Sequence, residues 1–227
     1  MVTIAENLTA VRQRIADAAR KAGRQPSDVR LLAVSKTFPA ADIADAYANG
    51  AQHCFGENRV QELEEKAPIL PQEIQWHLIG HLQANKVRNA VKFATWIHSV
   101  DSLELLERIE RIAEEEHACP HILLEVNISG EESKFGLTPE QADELAGVAK
   151  NMTHLKLEGL MTMAPFEAPA DELHRVFGGL RELRDHIAQH HNITLPELSM
   201  GMSGDFEAAI AEGATIVRIG TAIFGHR

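Results

Sequence analysis

The chain has 227 residues, 44% of them hydrophobic, which is an ordinary composition for a globular protein large enough to form one sizeable domain. Its formal net charge of −11 at pH 7 argues against a general nucleic-acid-binding protein, although it leaves room for a local basic pocket. No stretch approaches about 18 consecutive apolar residues, so we expect no membrane-spanning segment.

The first predicted element is an amphipathic helix. Thr3 and Glu6 have the spacing of a capping box, apolar residues then recur at helical intervals, and Gly23 ends the pattern. No strand precedes this helix. We therefore predict that residues 1–23 form an extra N-terminal helix that stands before the repeating part of the fold.

After this helix, strands alternate with helices along the chain. The predicted strands are 31–35, 52–55, 74–80, 95–100, 121–128, 155–163, 197–200 and 215–220. The predicted helices are 39–49, 58–66, 83–93, 102–117, one beginning at Thr138, 170–190 and 205–212.

Such alternation is typical of a parallel sheet with helices outside it. Eight units in about 200 residues favour an α/β fold of the closed (β/α)8 or TIM-barrel type, and an open doubly wound sheet is the alternative. The sequence contains no evident linker or low-complexity segment, so we predict a single domain over residues 1–227.

Lys36 follows the first predicted strand. In (β/α)8 barrels the reactive groups lie at the carboxyl ends of the strands. Strand parity places Lys36 on the face of Leu32 and Val34, directly above core side chains. An amine in such surroundings is a candidate nucleophile, whereas a lysine that extends into solvent is the alternative. Lys134, in the polar loop after the fifth strand, is a second and weaker candidate because solvent keeps its amine charged.

Polar residues also follow the second and third strands. Asn58 either caps the next helix or lines the barrel mouth, and His81 faces either the pocket or solvent. His77 and His81 are four residues apart, a spacing that binds zinc when both lie on one helix. Gly80 and a strand pattern separate them here, so we predict no metal site.

Small residues follow the last two strands, in the places where barrels frequently bind phosphate. They are Ser199, Gly201, Ser203 and Gly204 after the seventh strand, and Gly220 and Thr221 after the eighth. Small residues let backbone N–H groups approach an anion, and hydroxyl groups add hydrogen bonds. The pattern predicts a phosphate-binding site, and two ordinary glycine turns are the alternative.

Arg218 lies within the last strand on the face of Ile216. A buried guanidinium needs a partner such as a phosphate, a carboxylate or a ring nitrogen, and a structural ion pair with an acidic residue is the alternative. The first and last strands of a closed barrel are neighbours, so Lys36 and the phosphate site share one pocket. A small aldehyde that carries a phosphate satisfies both, and pyridoxal 5'-phosphate bound as a Schiff base is the obvious candidate.

Six stretches make the sequence resemble the pyridoxal phosphate homeostasis protein family, whose barrel is similar to that of alanine racemase and other fold type III enzymes. They are LLAVSKT, FGENRVQE, WHLIGHLQANK, LLEVNISGEESKFG, GLMTMAP and LSMGMSGDFEAAIAEGATIVRIGTAIFG, and they extend from residue 31 to residue 225.

The resemblance implies a role for each candidate residue. Lys36 carries pyridoxal 5'-phosphate as a Schiff base and Asn58 lines the site. Arg218 faces the pyridine nitrogen and keeps it unprotonated, which weakens the ring as an electron sink. The phosphate contacts are implied for Ser203, Gly204, Gly220 and Thr221. We add His81 to the predicted cofactor-binding residues.

The resemblance also implies a function. Members of this family bind the cofactor and act in the intracellular homeostasis of vitamin B6 and of amino and keto acids, without an established catalytic activity. The alternative is an amino-acid racemase of fold type III, which needs a tyrosine from a second domain opposite its lysine. The chain's one tyrosine, Tyr47, is predicted on a helix away from the mouth. A lysine-dependent aldolase is a third class.

Location and partners are predicted from weaker signals. The two cysteines, Cys54 and Cys119, indicate a reducing compartment, and the mixed-charge N-terminus lacks the layout of a signal peptide. We therefore expect a cytoplasmic monomer with a small-molecule cofactor and no nucleic-acid or membrane partner. Pyridoxal-phosphate-dependent apoenzymes are the expected recipients of the cofactor.

Overall fold

The computed structural model describes residues 2–131 and 135–225. Eight parallel strands form a closed barrel in chain order, and the last strand pairs with the first, so the predicted (β/α)8 barrel is confirmed and the open sheet is not. The strands are β1 (Arg30–Val34), β2 (Cys54–Glu57), β3 (Gln75–Leu78), β4 (Trp96–Val100), β5 (His121–Glu125), β6 (Lys156–Met161), β7 (Glu197–Ser199) and β8 (Ile216–Ile219).

Helices surround the barrel and connect its strands. Those in the described residues are α1 (Ile4–Lys21), α2 (Ala40–Ala48), α3 (Val60–Lys66), α4 (Val87–Phe93), α5 (Leu103–Glu115), α6 (Pro139–Ala149), α7 (Ala170–His191), α8 (Phe206–Ala211) and α9 (Thr221–Phe224). None of these is both long and apolar enough to cross a membrane.

The extra N-terminal helix is present as α1. Thr3 and Glu6 form the predicted capping box, and the apolar stripe of the helix is buried. The helix packs beside α2, α8 and α9, where the first and last units of the barrel meet. The side-chain amide of Asn7 donates a hydrogen bond of 2.9 Å to the carbonyl of Ile223 in α9. The N-terminal helix therefore braces the last helix of the chain.

Element boundaries differ from the sequence prediction near the barrel mouth. The strand β2 extends to Glu57, because its backbone pairs with β3 as far as Leu78. The helix α3 begins at Val60 after Arg59, and no side chain caps it. The interpretation of Asn58 as a helix cap is therefore wrong.

The core has two layers. A large apolar cluster fills the space between the helices and the outer face of the sheet and includes Leu31 and Ala33. A smaller cluster inside the barrel consists of Trp96, Leu123 and Met161. The other buried residues inside the barrel are partly polar. The barrel interior therefore forms the floor of a site and is not a purely apolar core.

Candidate functional site

A cavity of about 780 Å³ opens at the carboxyl ends of the strands. All eight residues that the sequence predicts to bind a cofactor line this one cavity: Lys36, Asn58, His81, Ser203, Gly204, Arg218, Gly220 and Thr221. They come together because β1 pairs with β8 and the loops after β7 and β8 close over the same end of the barrel. The predicted Lys134 lies outside the described residues.

Lys36 lies in the turn that follows β1. The strand ends at Val34, Ser35 is buried, and Lys36 is half-buried on the cavity wall. The next residue, Thr37, has a φ of 66°. A positive φ is rare for a β-branched residue, and strained backbone of this kind persists only where surrounding contacts impose it. The turn that carries the lysine is thus held in one conformation by its neighbours.

A buried ion-pair network supplies those contacts. Nζ of Lys66 donates to the carbonyl of Ser35 at 3.1 Å, to Oε1 of Glu57 at 2.8 Å and to Oε2 of Glu62 at 2.7 Å. The hydroxyl of Ser35 donates to the same Glu57 oxygen at 2.7 Å. The backbone N–H of Thr37 donates to Glu62 at 2.6 Å. One ammonium group therefore ties the lysine turn to β2 and α3.

Burial of the Glu57 carboxyl is the main energetic cost of this network. Burial raises the pKa of Glu57 to about 7, against the opposing hydrogen bonds from Lys66 and Ser35. Its second oxygen has no partner among the described residues. This network was not predicted from the sequence. The i,i+4 spacing of Glu62 and Lys66 does indicate one of its ion pairs.

The loops after β7 and β8 contain the small residues that the sequence predicts to bind phosphate, a group called the anion nest below. Gly201 has a φ of 93°, and a Cβ atom there would lie 2.6 Å from Cβ of Ala209, so only glycine fits. A Cβ atom on Gly204 would meet nothing within 4 Å, because this residue faces open space. The backbone N–H groups of Ser203, Gly204 and Thr221 donate to no other described residue. Backbone N–H groups without an acceptor in the protein are the kind of donor that binds an anion.

Arg218 is buried at the bottom of the cavity and is held by neutral oxygens. One guanidinium nitrogen donates to the carbonyl and the hydroxyl of Ser199 at 2.7 and 2.8 Å, and the other donates to the carbonyl of Thr162 at 2.9 Å. It forms no ion pair within the described part of the chain, so a structural ion pair does not explain it. Burial lowers the pKa of Arg218 to about 10, which leaves the group cationic at neutral pH.

Two buried histidines continue this line of hydrogen bonds into the barrel. The hydroxyl of Ser199 lies 3.0 Å from Nδ1 of His98, and Nε2 of His98 lies 2.9 Å from Nδ1 of His77. The ring of His77 stacks on Trp96. Burial holds the pKa of both imidazoles well below its usual value, so they are neutral. His77 therefore belongs to the barrel interior and contributes to the orientation of Ser199.

Asn58 and His81 form one side of the mouth. A Cβ atom on Gly80 would lie 2.3 Å from the carbonyl oxygen of Asn58, so the missing side chain lets the loops after β2 and β3 approach each other closely. The imidazole of His81 lies 3.3 Å from a carboxylate oxygen of Asp101 and stacks on Phe135 with ring centroids 4.6 Å apart. His81 thus faces the cavity from the rim, with part of its ring in solvent.

Sequence analysis missed an apolar rim around the cavity. Met161 is buried in the inner core, whereas Met163 lies beyond the end of β6 and lines the cavity. The exposed apolar residues on the cavity wall are Phe135, Met163, Phe166 and Met202. These residues lie in loops, where hydrophobic periodicity does not indicate which way a side chain points.

Glu125, the last residue of β5, was also missed, and it places a carboxyl group on the cavity wall. It is only 4% exposed. Burial, with a smaller contribution from the charge of Asp101, raises the pKa of Glu125 to about 7, while the charge of Arg218 acts in the opposite direction. Because the folded-state pKa lies above the unfolded value of 4.5, Glu125 stabilises the fold at low pH and loses that contribution as the pH rises to about 7.

The variant Glu125→Gln is expected to remove this pH dependence. Between pH 4.5 and pH 8, its free energy of unfolding should gain about 3 kcal/mol relative to the parent protein, since the pKa difference of 2.5 units corresponds to that energy. Urea unfolding of both proteins without added ligand, at four or five pH values, measures the difference. Two curves that stay parallel over this range would contradict the assignment.

The architecture defines the class of the protein. A family model described as the alanine racemase N-terminal domain matches residues 7–227, and its closed barrel is the fold seen here. A relative from Pseudomonas aeruginosa, named pyridoxal phosphate homeostasis protein, is 46% identical over 228 residues, which cover all of this chain and 97% of the relative. The chain belongs to the pyridoxal phosphate homeostasis protein family, within the alanine racemase N-terminal domain class.

Two solved structures of one relative agree with this family. PipY of Synechococcus elongatus without pyridoxal phosphate is 41% identical, covers 98% of this chain and 100% of its own, and has a TM-score of 0.89. PipY with pyridoxal phosphate bound is 40% identical over the same shares, with a TM-score of 0.87. The barrel described above is thus shared along nearly the whole chain with a relative whose structure contains this cofactor.

Proposed function

We propose that this protein binds pyridoxal 5'-phosphate at the barrel mouth and serves in the homeostasis of vitamin B6 and of amino and keto acids. The observation that carries the proposal is the placement of Lys36 and the anion nest on one cavity wall, across the pair formed by β1 and β8. The bound cofactor in PipY, a relative of the same length and fold, supports it.

Each side of the cavity fits one part of this cofactor. The amine of Lys36 suits the aldehyde, and the nest of Ser203, Gly204 and Thr221 suits the phosphate, whose charge matches backbone N–H donors without ligands of their own. Arg218, cationic and held by neutral oxygens, suits the ring nitrogen. Asn58 and His81 line the same cavity and would lie beside the ring.

The cofactor supplies an aldehyde that bonds reversibly to an amine, so a lysine can retain it and later release it. We propose that the protein acts as a monomer, since the described residues of one chain supply all these groups. Pyridoxal-phosphate-dependent apoenzymes are the proposed recipients. The open mouth, with an exposed Phe166 at its edge, leaves a route for the cofactor to leave.

Amino-acid racemisation is the second candidate, because the family model is that of alanine racemase. Tyr47 is the only tyrosine of the chain, and it lies on α2 and packs against the core beside His53, outside the cavity lining. No tyrosine hydroxyl therefore faces Lys36 within the described residues. Incubation of the protein loaded with pyridoxal 5'-phosphate with L-alanine in deuterated water distinguishes the two functions. Sustained racemisation at enzymatic rates would show that the protein is a racemase and contradict a role limited to binding.

The phosphate site has its own test. The variant Thr221→Val is expected to weaken the binding of pyridoxal 5'-phosphate by about 1.5 to 3 kcal/mol, or about 10- to 150-fold in dissociation constant. The reason is the loss of the charge-assisted hydrogen bond from the Thr221 hydroxyl to the phosphate. Absorbance titration of both proteins measures the change. Pyridoxal without its phosphate is the matched control and should bind both proteins equally. Equal affinities for the phosphorylated ligand would show that the Thr221 hydroxyl makes no hydrogen bond to the phosphate.

A further inference from the structure

A cluster of potential metal ligands lies outside the barrel, between α6 and α7. His186 and His190 are four residues apart on α7, and Asp143 lies opposite them on α6. One ring nitrogen from each histidine and one carboxylate oxygen lie within 4.8 Å of one another. Residues four apart share one face of a helix, which is the arrangement in which paired histidines bind zinc. None of the three residues lines the cavity at the barrel mouth.

The carboxylate of this cluster is already oriented. Nδ1 of His190 lies 3.0 and 3.1 Å from the two oxygens of Asp143, and Nε2 of His191 lies 3.1 Å from one of them. His191 is half-buried, and its ring packs so closely on Gly147 that a Cβ atom there would lie 2.7 Å away. His191 thus orients the carboxylate of Asp143. Residues outside the set of metal ligands commonly orient the ligands in this way.

The cluster is accessible to an ion from solvent, since Asp143 is half-buried and both histidines of the cluster are exposed. The rings of His186 and His190 are exposed, so small side-chain rotations can bring their nitrogens closer together.

We propose that Asp143, His186 and His190 form a surface site for one divalent transition-metal cation of the zinc class. Two imidazoles and one carboxylate suit zinc and its neighbours, whereas magnesium and calcium prefer oxygen ligands. Water completes a tetrahedral set. Binding should weaken in acid, because protonated imidazole and carboxyl groups do not bind a cation. A bound cation links α6 to α7.

Calorimetric titration of the untagged, EDTA-treated full chain with zinc chloride tests the site. We expect one zinc ion per chain, and a cobalt(II) complex with the visible absorption of a tetrahedral site. The variant His186→Ala should bind zinc at least about 10-fold more weakly, since even the outer partners of metal ligands contribute about 10-fold or more to affinity. The matched control is His174→Ala, on the same helix, where the histidine pairs with Glu212 at 2.9 Å.

Several outcomes would overturn the proposal. They are no zinc binding at millimolar concentration, equal zinc affinity of His186→Ala and the parent protein, or an equal loss of affinity in His174→Ala. His186 is exposed, so its variant should fold normally, and circular dichroism without metal verifies this. Addition of magnesium in excess should leave zinc binding unchanged, and competition by magnesium would also contradict the site.

Discussion

Replacing Lys36 by alanine is expected to abolish the visible absorption that pyridoxal 5'-phosphate shows when it is bonded to a lysine, and to leave the fold intact. The side chain is half-buried and lies beyond the end of β1, outside the buried apolar core, so we expect the fold to tolerate its removal. The expected effect on covalent retention is a complete loss, because the amine is the bonding group. Absorbance spectra after addition of the cofactor, with circular dichroism for the fold, measure both results.

The control for this experiment is Lys150→Ala, which removes an exposed lysine just after α6. Its absorption should equal that of the parent protein. Borohydride reduction followed by peptide mass spectrometry should place the cofactor on the Lys36 peptide. Colour retained by Lys36→Ala would contradict the assignment and direct attention to Lys134, the other amine that the sequence singles out.

Replacing Lys66 by methionine is expected to lower the free energy of unfolding by about 3 to 5 kcal/mol, the usual cost of removing one partner of a buried ion pair. The change leaves the fully buried Glu57 with only the hydroxyl of Ser35 as a hydrogen-bond donor. Because the pKa of Glu57 in the intact protein is about 7, its carboxyl is charged above that pH. The loss should therefore be larger at pH 8 than at pH 6, and urea unfolding at the two values measures it.

The double variant Lys66→Met/Glu57→Gln is the matched comparison. With both charges removed, no uncompensated ion remains, and most of the lost stability should return. If Lys66→Met alone were as stable as the double variant, the ion pair would not be what stabilises this region of the protein. The same proteins report on the site, since a loosened turn after Ser35 should also slow the bonding of the cofactor at Lys36.

The repeating part of the fold was predictable from the sequence because each unit carries its own signals. The capping box at Thr3 is present as the pattern predicts, and the helix predicted to begin at Thr138 is capped by that residue. The boundaries of β1 and β2 were displaced by one or two residues, because pairing with the neighbouring strands, which the local sequence does not encode, decides where a strand ends.

The site was predictable where position along the barrel determines function. Lys36, Arg218 and the small residues after β7 and β8 line one cavity because strand ends in a barrel converge. Glu57 and Lys66 escaped prediction because their pairing depends on how α3 packs over β2. Glu125 escaped because the predicted strand continued to residue 128, which placed the carboxyl group inside the strand, whereas β5 ends at Glu125.

The bracing of α9 by α1 has a consequence for synthesis of the protein on the ribosome. Lys36 is made well before Thr221 and the glycine next to it, and α9 packs against α1 through Asn7 and Ile223. A nascent chain therefore carries the amine long before it has anything to grip a phosphate. We expect firm capture of a phosphorylated ligand only once α9 has packed against α1.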